Sequence, residues 1–354
     1  MTVAIDVLVV DDSPLMRRII TRLLESDPRI RVVSTAGDGY EAIEKVEAIR
    51  PDVVTLDIEM PRMDGLEALR QIMQRAPTPV VMLSGVKEAS AAVQALELGA
   101  VEFVAKPSGT ISIDLYKVRD ELIGKVKLAT LVNLDRVVAR TGPITPPPPL
   151  SPPMGGMKGG AWMLAVGAST GGPRALDQVL RRLPAGLPAG VLIVQHMPAG
   201  FTASFAQRLN QRSPLHVEEA RDGQEVTTGS AYVAPGGVHM VVTGERGRPT
   251  ICLQDTPKVN SVRPSADVLM GSVARLNGAC SMGIVLTGMG SDGAEGLAQI
   301  KAAGGLTLAQ DKESSVIFGM PKAAIERGVV DGVLSLSKIP RAIVTAMQER
   351  KCHD

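Results

Sequence analysis

The stretch from Thr141 to Gly160 holds Pro143, Pro146, Pro147, Pro148, Pro149, Pro152 and Pro153, then Gly155, Gly156 and Gly159. Proline fixes φ and lacks a backbone donor, and glycine has no side chain to pack. The stretch therefore reads as a partly extended polyproline-II tether that joins no core. One continuous core is thereby forbidden. The 354 residues must fold as two units, expected at 1–128 and 161–350 with a linker over 129–160, each about the size of one domain. At 45% hydrophobic and 21% charged residues, the chain has material for two ordinary cores and is too apolar to be disordered throughout.

Before the tether, short apolar runs alternate with helical periodicity. Val7–Val10, Val32-Val33, Val53–Leu56, Val80–Leu83 and Glu102-Phe103-Val104 read as buried strands. Amphipathic segments follow: Leu15, Ile19, Leu23 and Leu24 at helical spacing, then 39–49, 64–74, 88–98 and 113–128. Continuous apolar strands each followed by a helix predict a parallel sheet covered on both faces. After the tether, Met163–Val166, Val191–Val194, Ala231–Ala234, His239–Val242 and Gly283–Thr287 are strand candidates, with helices starting near Pro173, Phe201, Ala266, Ala294 and Pro321. The expected fold class is α/β: two doubly wound parallel-sheet domains, the first flavodoxin-like and the second Rossmann-like, with an antiparallel meander over 231–253.

Lys+Arg 38 against Asp+Glu 37 gives a net charge of +1, so a basic nucleic-acid surface is not expected. No apolar run reaches the length of about 18 residues that a membrane helix needs, and no membrane insertion is expected. Residues 1–6 carry no export signal. Cys252, Cys280 and Cys352 are too few and too scattered for a disulfide framework or a cysteine zinc site. They fit a reducing compartment. The chain is expected to be cytoplasmic and monomeric.

In the first unit, polar residues stand at the carboxyl ends of four predicted strands: Asp11-Asp12, Asp57, Ser84 and Lys106-Pro107. Ligands of open α/β sheets bind at that edge. Gathered carboxylates repel one another unless a cation sits among them, and carboxylate oxygens with waters suit Mg²⁺. One carboxylate can then attack a phosphoryl group while metal and lysine offset the developing charge. Ser84 could hydrogen-bond a phosphoryl oxygen and Lys106 pair with another. For Asp12 alone, capping of the following helix is an equal alternative. Over residues 4–128 the pattern Asp11, Asp12, Asp57–Gly65, Ser84, Phe103 and Lys106-Pro107 resembles a response-regulator receiver domain. The resemblance implies Asp57 as phospho-acceptor, Asp11, Asp12 and Asp57 around Mg²⁺, and a histidine kinase as phosphodonor. It also implies Phe103 as a switch aromatic and a cis peptide bond at Lys106-Pro107.

In the second unit, Val166-Gly-Ala-Ser-Thr-Gly-Gly-Pro173 sets Ser169 in a glycine-rich turn between a strand and a helix. Such a turn can expose a nucleophilic serine, and it can equally hold a pyrophosphate. His196, at the end of the next apolar strand, favours the nucleophile. A nucleotide site would want an acid there, whereas imidazole can take and return the serine proton near neutral pH. His216 and His239 close no buried parallel strand and fit structural roles; His353 lies in the tail. Asp292, in the turn Leu286–Gly293, could orient that imidazole, or it could merely cap the helix that follows. The order Ser, His, Asp differs from that of the α/β-hydrolases.

From receiver through tether to about residue 348, the chain resembles the chemotaxis protein-glutamate methylesterases of the CheB type. The residues that carry the likeness are Gly167–Gly172, Gln195–Pro198, Ala234–Gly237, Arg263–Asp267, Leu286–Gly293 and Phe318–Ala323. The resemblance implies Ser169, His196 and Asp292 as a triad that hydrolyses glutamate γ-methyl esters of chemoreceptors and deamidates receptor glutamines. Backbone N–H groups of Thr170 and Met289 are the expected oxyanion donors, and this half needs no metal. An unphosphorylated receiver is expected to obstruct the Ser169 crevice until Asp57 is phosphorylated. The alternatives are a receiver-coupled nucleotide-binding oxidoreductase and a non-enzymatic receptor-binding output module.

Overall fold

The structure, a computed structural model, describes residues 4–106, 114–132, 134, 150, 161–245 and 247–350. The chain divides into two compact units, Met1–Ile144 and Thr145–Asp354. Most of the tether and Pro107, with the cis bond expected there, lie outside the described residues.

The first unit runs β1 (Ile5–Val10), α1 (Pro14–Glu25), β2 (Ile30–Ala36), α2 (Gly39–Ile49), β3 (Val53–Asp57), α3 (Gly65–Arg75), β4 (Val80–Ser84), α4 (Ala89–Leu98), β5 (Glu102–Ala105) and α5 (Asp114–Ala129). Helix starts follow from local chemistry. Asp38 and Asp64 accept the amides of Glu41 at 3.0 Å and Glu67 at 2.8 Å, which would otherwise lack partners in the first turns of α2 and α3. Every residue of β3 and β4 is buried, as strands covered on both faces must be. The sheet is parallel in the order β2-β1-β3-β4-β5. Its order reverses at β1, so the crevice opens past the ends of β1 and β3, where Asp11, Asp12 and Asp57 stand.

The second unit begins β6 (Trp162–Ala168), α6 (Gly172–Leu180), β7 (Ala189–Gln195), α7 (Thr202–Asn210), β8 (His216–Glu219), β9 (Ser230–Val233), β10 (His239–Glu245) and β11 (Arg248–Gln254). It continues with α8 (Ala266–Asn277), β12 (Ser281–Val285), α9 (Ala294–Ala302), β13 (Leu306–Gln310), α10 (Met320–Glu326), β14 (Gly332–Leu334) and α11 (Ile339–Glu349). Seven strands form a parallel sheet in the order β14-β13-β12-β6-β7-β9-β8. β6 and β7 are buried at every position, and with β12 they form the centre of the sheet. Met163, Leu192, Met240, Leu269, Val273 and Leu297 belong to a core shared by this sheet, the β10–β11 ribbon and helices α8 and α9.

Several expectations change here. The antiparallel meander over 231–253 shrinks to β10 and β11, because Ala231–Val233 pairs in parallel with both β7 and β8. Strands β8, β13 and β14 were not foreseen; the first is an edge strand beginning at exposed His216, and the last spans three residues. Cys280 is disulfide-bonded while Cys252 is a free thiol, so the expectation of reduced cysteines fails at Cys280. Among the described residues no helix is long and apolar enough to cross a membrane.

Candidate functional site

Oxygens of Asp11, Asp12 and Asp57 lie within 4.8 Å of one another at the crevice of the first sheet. Asp11 and Asp57 are buried and Asp12 is exposed. The opposing charge comes from Lys106, whose Nζ is 3.0 Å from Asp11 Oδ2 and 2.6 Å from Asp57 Oδ1. Burial pushes the Asp57 carboxyl up to about 6, with Lys106 pulling it down and Asp11 adding to the rise. Burial alone would lower the Lys106 pKa, but the charges of Asp57 and Asp11 raise it above its ordinary value. Three carboxylates facing one ammonium leave negative charge over, and an all-oxygen set of this kind fits a hard divalent cation.

The other receiver residues stand close by. Ser84 is fully buried at the end of β4, and its hydroxyl donates to the Gly85 carbonyl at 3.0 Å. Phe103 is buried in β5, with Lys125 Nζ 5.3 Å from its ring centroid. The capping alternative for Asp12 falls away, since Ser13 is the N-cap of α1 and its Oγ accepts the Met16 amide. Beside Asp12 opens a surface cavity of about 560 Å³, bordered by Glu59, Met60 and Ala91.

In the second unit, sheet register brings Ser169 and His196 side by side. Ala168 pairs with Gln195 across β6 and β7, and the next amide, that of His196, donates to the Ala168 carbonyl at 3.0 Å. Gln195 Nε2 then donates to the carbonyls of both Ser169 and His196 at 3.1 Å, tying the two loops together. Gly171, at φ +77°, makes the sharp reversal into α6 that a side chain would strain. From the other side the Ser169 amide donates to Thr287 O at 3.0 Å. A Cβ on Gly288 would come 2.7 Å from Ser169 Cβ, so only glycine lets that turn approach the serine so closely.

His196 Nε2 lies 2.8 Å from Asp292 Oδ2. The carboxylate is 2% exposed, and a charge so buried costs several kcal/mol unless donors surround it. They do. Oδ2 also accepts the Ala266 amide at 2.6 Å, while Oδ1 accepts Ser265 Oγ at 2.6 Å and, at 3.3 Å each, the Asp267 amide and Asn260 Nδ2. Asp292 thus sits on the amino end of α8, where amides and helix dipole favour an anion. Burial pushes its carboxyl up, but His196, Ser265 and the Ala266 amide outweigh burial and hold it below the ordinary range. The capping alternative is corrected in an unexpected way. Asp292 caps α8, whereas the helix that follows it, α9, is served by Asp267, whose Oδ1 accepts the amides of Gly293 at 2.8 Å and Gly296 at 2.7 Å.

Among the described residues no hydrogen bond joins Ser169 Oγ to His196; the imidazole–carboxylate half of the constellation is formed, and Ser169 stands beside His196 just past the ends of β6 and β7. Of the two expected oxyanion donors, Thr170 is buried immediately after Ser169, and the Met289 side chain is exposed at the rim. The Gly288 carbonyl accepts the amides of Gly319 at 3.0 Å and Met320 at 2.8 Å. In a planar trans peptide the Met289 N–H therefore points away from α10. His239 has the structural role expected of it: it is fully buried, its Nδ1 accepts the Ser265 amide at 3.2 Å, and its Nε2 donates to Pro257 O at 3.0 Å. Sequence reasoning gave no role to Gln195, Asn260, Ser265 or Asp267. Arg263–Asp267 is one of the motifs that carry the family likeness, but nothing in the sequence says that its serine and backbone meet Asp292.

Residues 164–343 match the CheB methylesterase family, and residues 7–114 match the response regulator receiver domain. A protein-glutamate methylesterase/protein-glutamine glutaminase of Pyrococcus horikoshii is 48% identical over 97% of this chain and 94% of its own length. One of the same name from Symbiobacterium thermophilum is 49% identical over 98% of each chain. The crystal structure of the Thermotoga maritima CheB methylesterase catalytic domain superposes with a TM-score of 0.52 at 42% identity, covering 53% of this chain and 99% of that one. This chain belongs to the CheB methylesterase family, with a receiver domain preceding its methylesterase domain.

Proposed function

We propose that the chain is a phosphorylation-activated protein-glutamate methylesterase of chemotaxis, a cytoplasmic hydrolase that uses Ser169, His196 and Asp292. The observation that carries this reading is the 2.8 Å contact between His196 Nε2 and buried Asp292, one strand over from Ser169. Because Nε2 is committed to the carboxylate, Nδ1 is the base. It takes the Ser169 proton as Oγ attacks the ester carbonyl of a methylated receptor glutamate. The carbon–oxygen bond to methoxide breaks, and Nδ1 returns the proton so that methanol leaves. Water then repeats the sequence on the acyl-enzyme, freeing the glutamate. With a receptor glutamine the same attack expels ammonia, and deamidation results. Amides of Thr170 and Met289 receive the oxyanion; loss of one such donor costs about 10²–10³ in rate.

In the receiver, Asp57 Oδ attacks the phosphoryl group supplied by a histidine kinase, and Lys106 neutralises the product. Mg²⁺ held by Asp11, Asp12 and Asp57 would supply the remaining positive charge there. Ser84 leaves the Gly85 carbonyl for a phosphoryl oxygen, and Phe103 reorients with it.

The test is methanol release from methylated receptor membranes, with and without a small acyl phosphate. Ser169→Ala should lose activity by about 10⁴-fold or more. Asp57→Asn should keep basal turnover and lose the response to phosphodonor. A Ser169→Ala enzyme that still turns over, or an Asp57→Asn enzyme that still responds, would overturn the corresponding half.

A further inference from the structure

One loop of the second unit is held far more firmly than a connection needs to be. His239 accepts the Ser265 amide and donates to the Pro257 carbonyl, so a single buried imidazole pins residues 257 and 265. Between them Val259 and Val262 exchange both backbone hydrogen bonds, at 3.1 and 3.0 Å. The two residues at the tip, Asn260 and Ser261, have φ of +51° and +65°. That is a type I′ turn, the tight hairpin that asparagine tolerates and serine resists. Left-handed backbone at a residue other than glycine persists where the surroundings over-determine it, as they do at functional sites.

The turn delivers one group. Although Asn260 is an exposed residue, its Nδ2 donates to Asp267 Oδ2 at 2.6 Å and to Asp292 Oδ1 at 3.3 Å. The two carboxylates it bridges are cross-wired. Asp292 caps the helix that begins beside Asp267, and Asp267 binds the Gly293 amide, next to Asp292. Two buried carboxylates this close repel, and a shared donor holds both.

We propose that Asn260 is a positioning residue for the hydrolase, which orders Asp267 and Asp292 on one amide and so keeps Asp292 Oδ2 facing His196. This rests on the proposed triad. It adds that the turn at 259–262 exists to aim that amide, and that its effect passes through Asp292 and not through substrate. Displacement of a catalytic group by about 1 Å can cost as much as 10²-fold.

The test uses the full-length protein and methanol release from methylated receptor membranes. Asn260→Gly suits the positive φ and removes only the amide, so it should fold with an unfolding midpoint near that of the parent. It should lower kcat by about 10- to 100-fold and leave KM within about twofold. Asn260→Asp keeps the shape but replaces the donor with a third carboxylate, and should be slower still. In an Asp292→Asn background, Asn260→Gly should have almost no further effect, because the group it orders is gone. Full kcat in Asn260→Gly, a rise in KM alone, or an undiminished effect in the Asp292→Asn background would each overturn the assignment. Ser169→Ala is run beside them. If that variant is inactive while Asn260→Gly is fully active, only this inference fails; if Ser169→Ala is active, the triad itself fails.

Discussion

Two clusters of carboxylates stand past the ends of parallel strands in this chain, and they are stabilised in opposite ways. In the receiver, Asp11, Asp12 and Asp57 meet one ammonium, and burial drives Asp57 up to about 6. In the methylesterase unit, Asp292 is more enclosed by donors than by charge, and its carboxyl is held down. The first cluster is short of positive charge and so is open to a cation and a phosphoryl group that supply or use it. In the second, burial also raises Asp267, but Asp292 has its donors built into the fold. Asp292 is held below its ordinary range without anything from outside, which suits the role proposed for it in orienting the His196 imidazole. The same strand-end position serves exchange with solvent in one unit and permanent order in the other.

The sharpest way to break that contrast is to remove the charge from the second cluster. Asp292→Asn should lower methanol release by about 10³–10⁴-fold, since an amide at this position favours the wrong imidazole tautomer. A loss of only a few-fold would mean that His196 is oriented by something else. Next in size is removal of divalent cations. A chelator should abolish phosphorylation of Asp57 by acyl phosphate while basal methanol release from the same sample is unchanged. Basal turnover that falls in step with the metal would erase the distinction between the clusters.

A smaller effect concerns stability and its sign. Asp57 in the folded chain has its carboxyl raised from 3.8 to about 6. Protonation therefore favours the folded receiver, and this contribution is lost as pH rises from about 4 to about 6, on the order of 2–3 kcal/mol. In metal-free calorimetry the receiver transition of Asp57→Asn should lack that decline and lie above the parent at neutral pH. Fluorescence of Trp162, the single tryptophan, assigns the other transition to the methylesterase unit. Equal pH slopes in parent and variant would show that Asp57 is not strained by burial. Smallest of all, Ser265→Ala removes one of several donors to Asp292 and should cost about 1–2 kcal/mol of stability and only a few-fold in kcat. A loss as large as that of Asp292→Asn would show the donors acting as an indivisible set.

The two units also differ in how readily the sequence reveals them. The receiver pocket residues stand at their own strand ends: Asp11 after Val10, Asp57 closing β3, Ser84 closing β4, Lys106 after Ala105. A reader who finds the apolar runs has found the pocket. Ser169 and His196 are legible for the same reason, as they follow β6 and β7. Asp292 is different. It lies seven residues past β12, and its partners come from a hairpin tip, a helix cap and a first helical turn that no periodicity marks. The sequence cannot separate Ala231–Val233 from the meander over 231–253, because it looks like any short apolar run. Only pairing with β7 and β8 makes it parallel.

Apolar runs, helix caps and glycine-rich turns, all local in origin, therefore determined two parallel-sheet units and the residues at their strand ends. Tertiary structure decided which carboxyl would be pushed above its ordinary range and which held below it, which nitrogen of His196 would be held, and that Asp267 and Asp292 would cap each other's helices. The physical reason is reach. Propensity and periodicity act over a few residues, whereas the field at a buried carboxylate is set by every donor the fold brings within about 3 Å of it, whatever the separation along the chain.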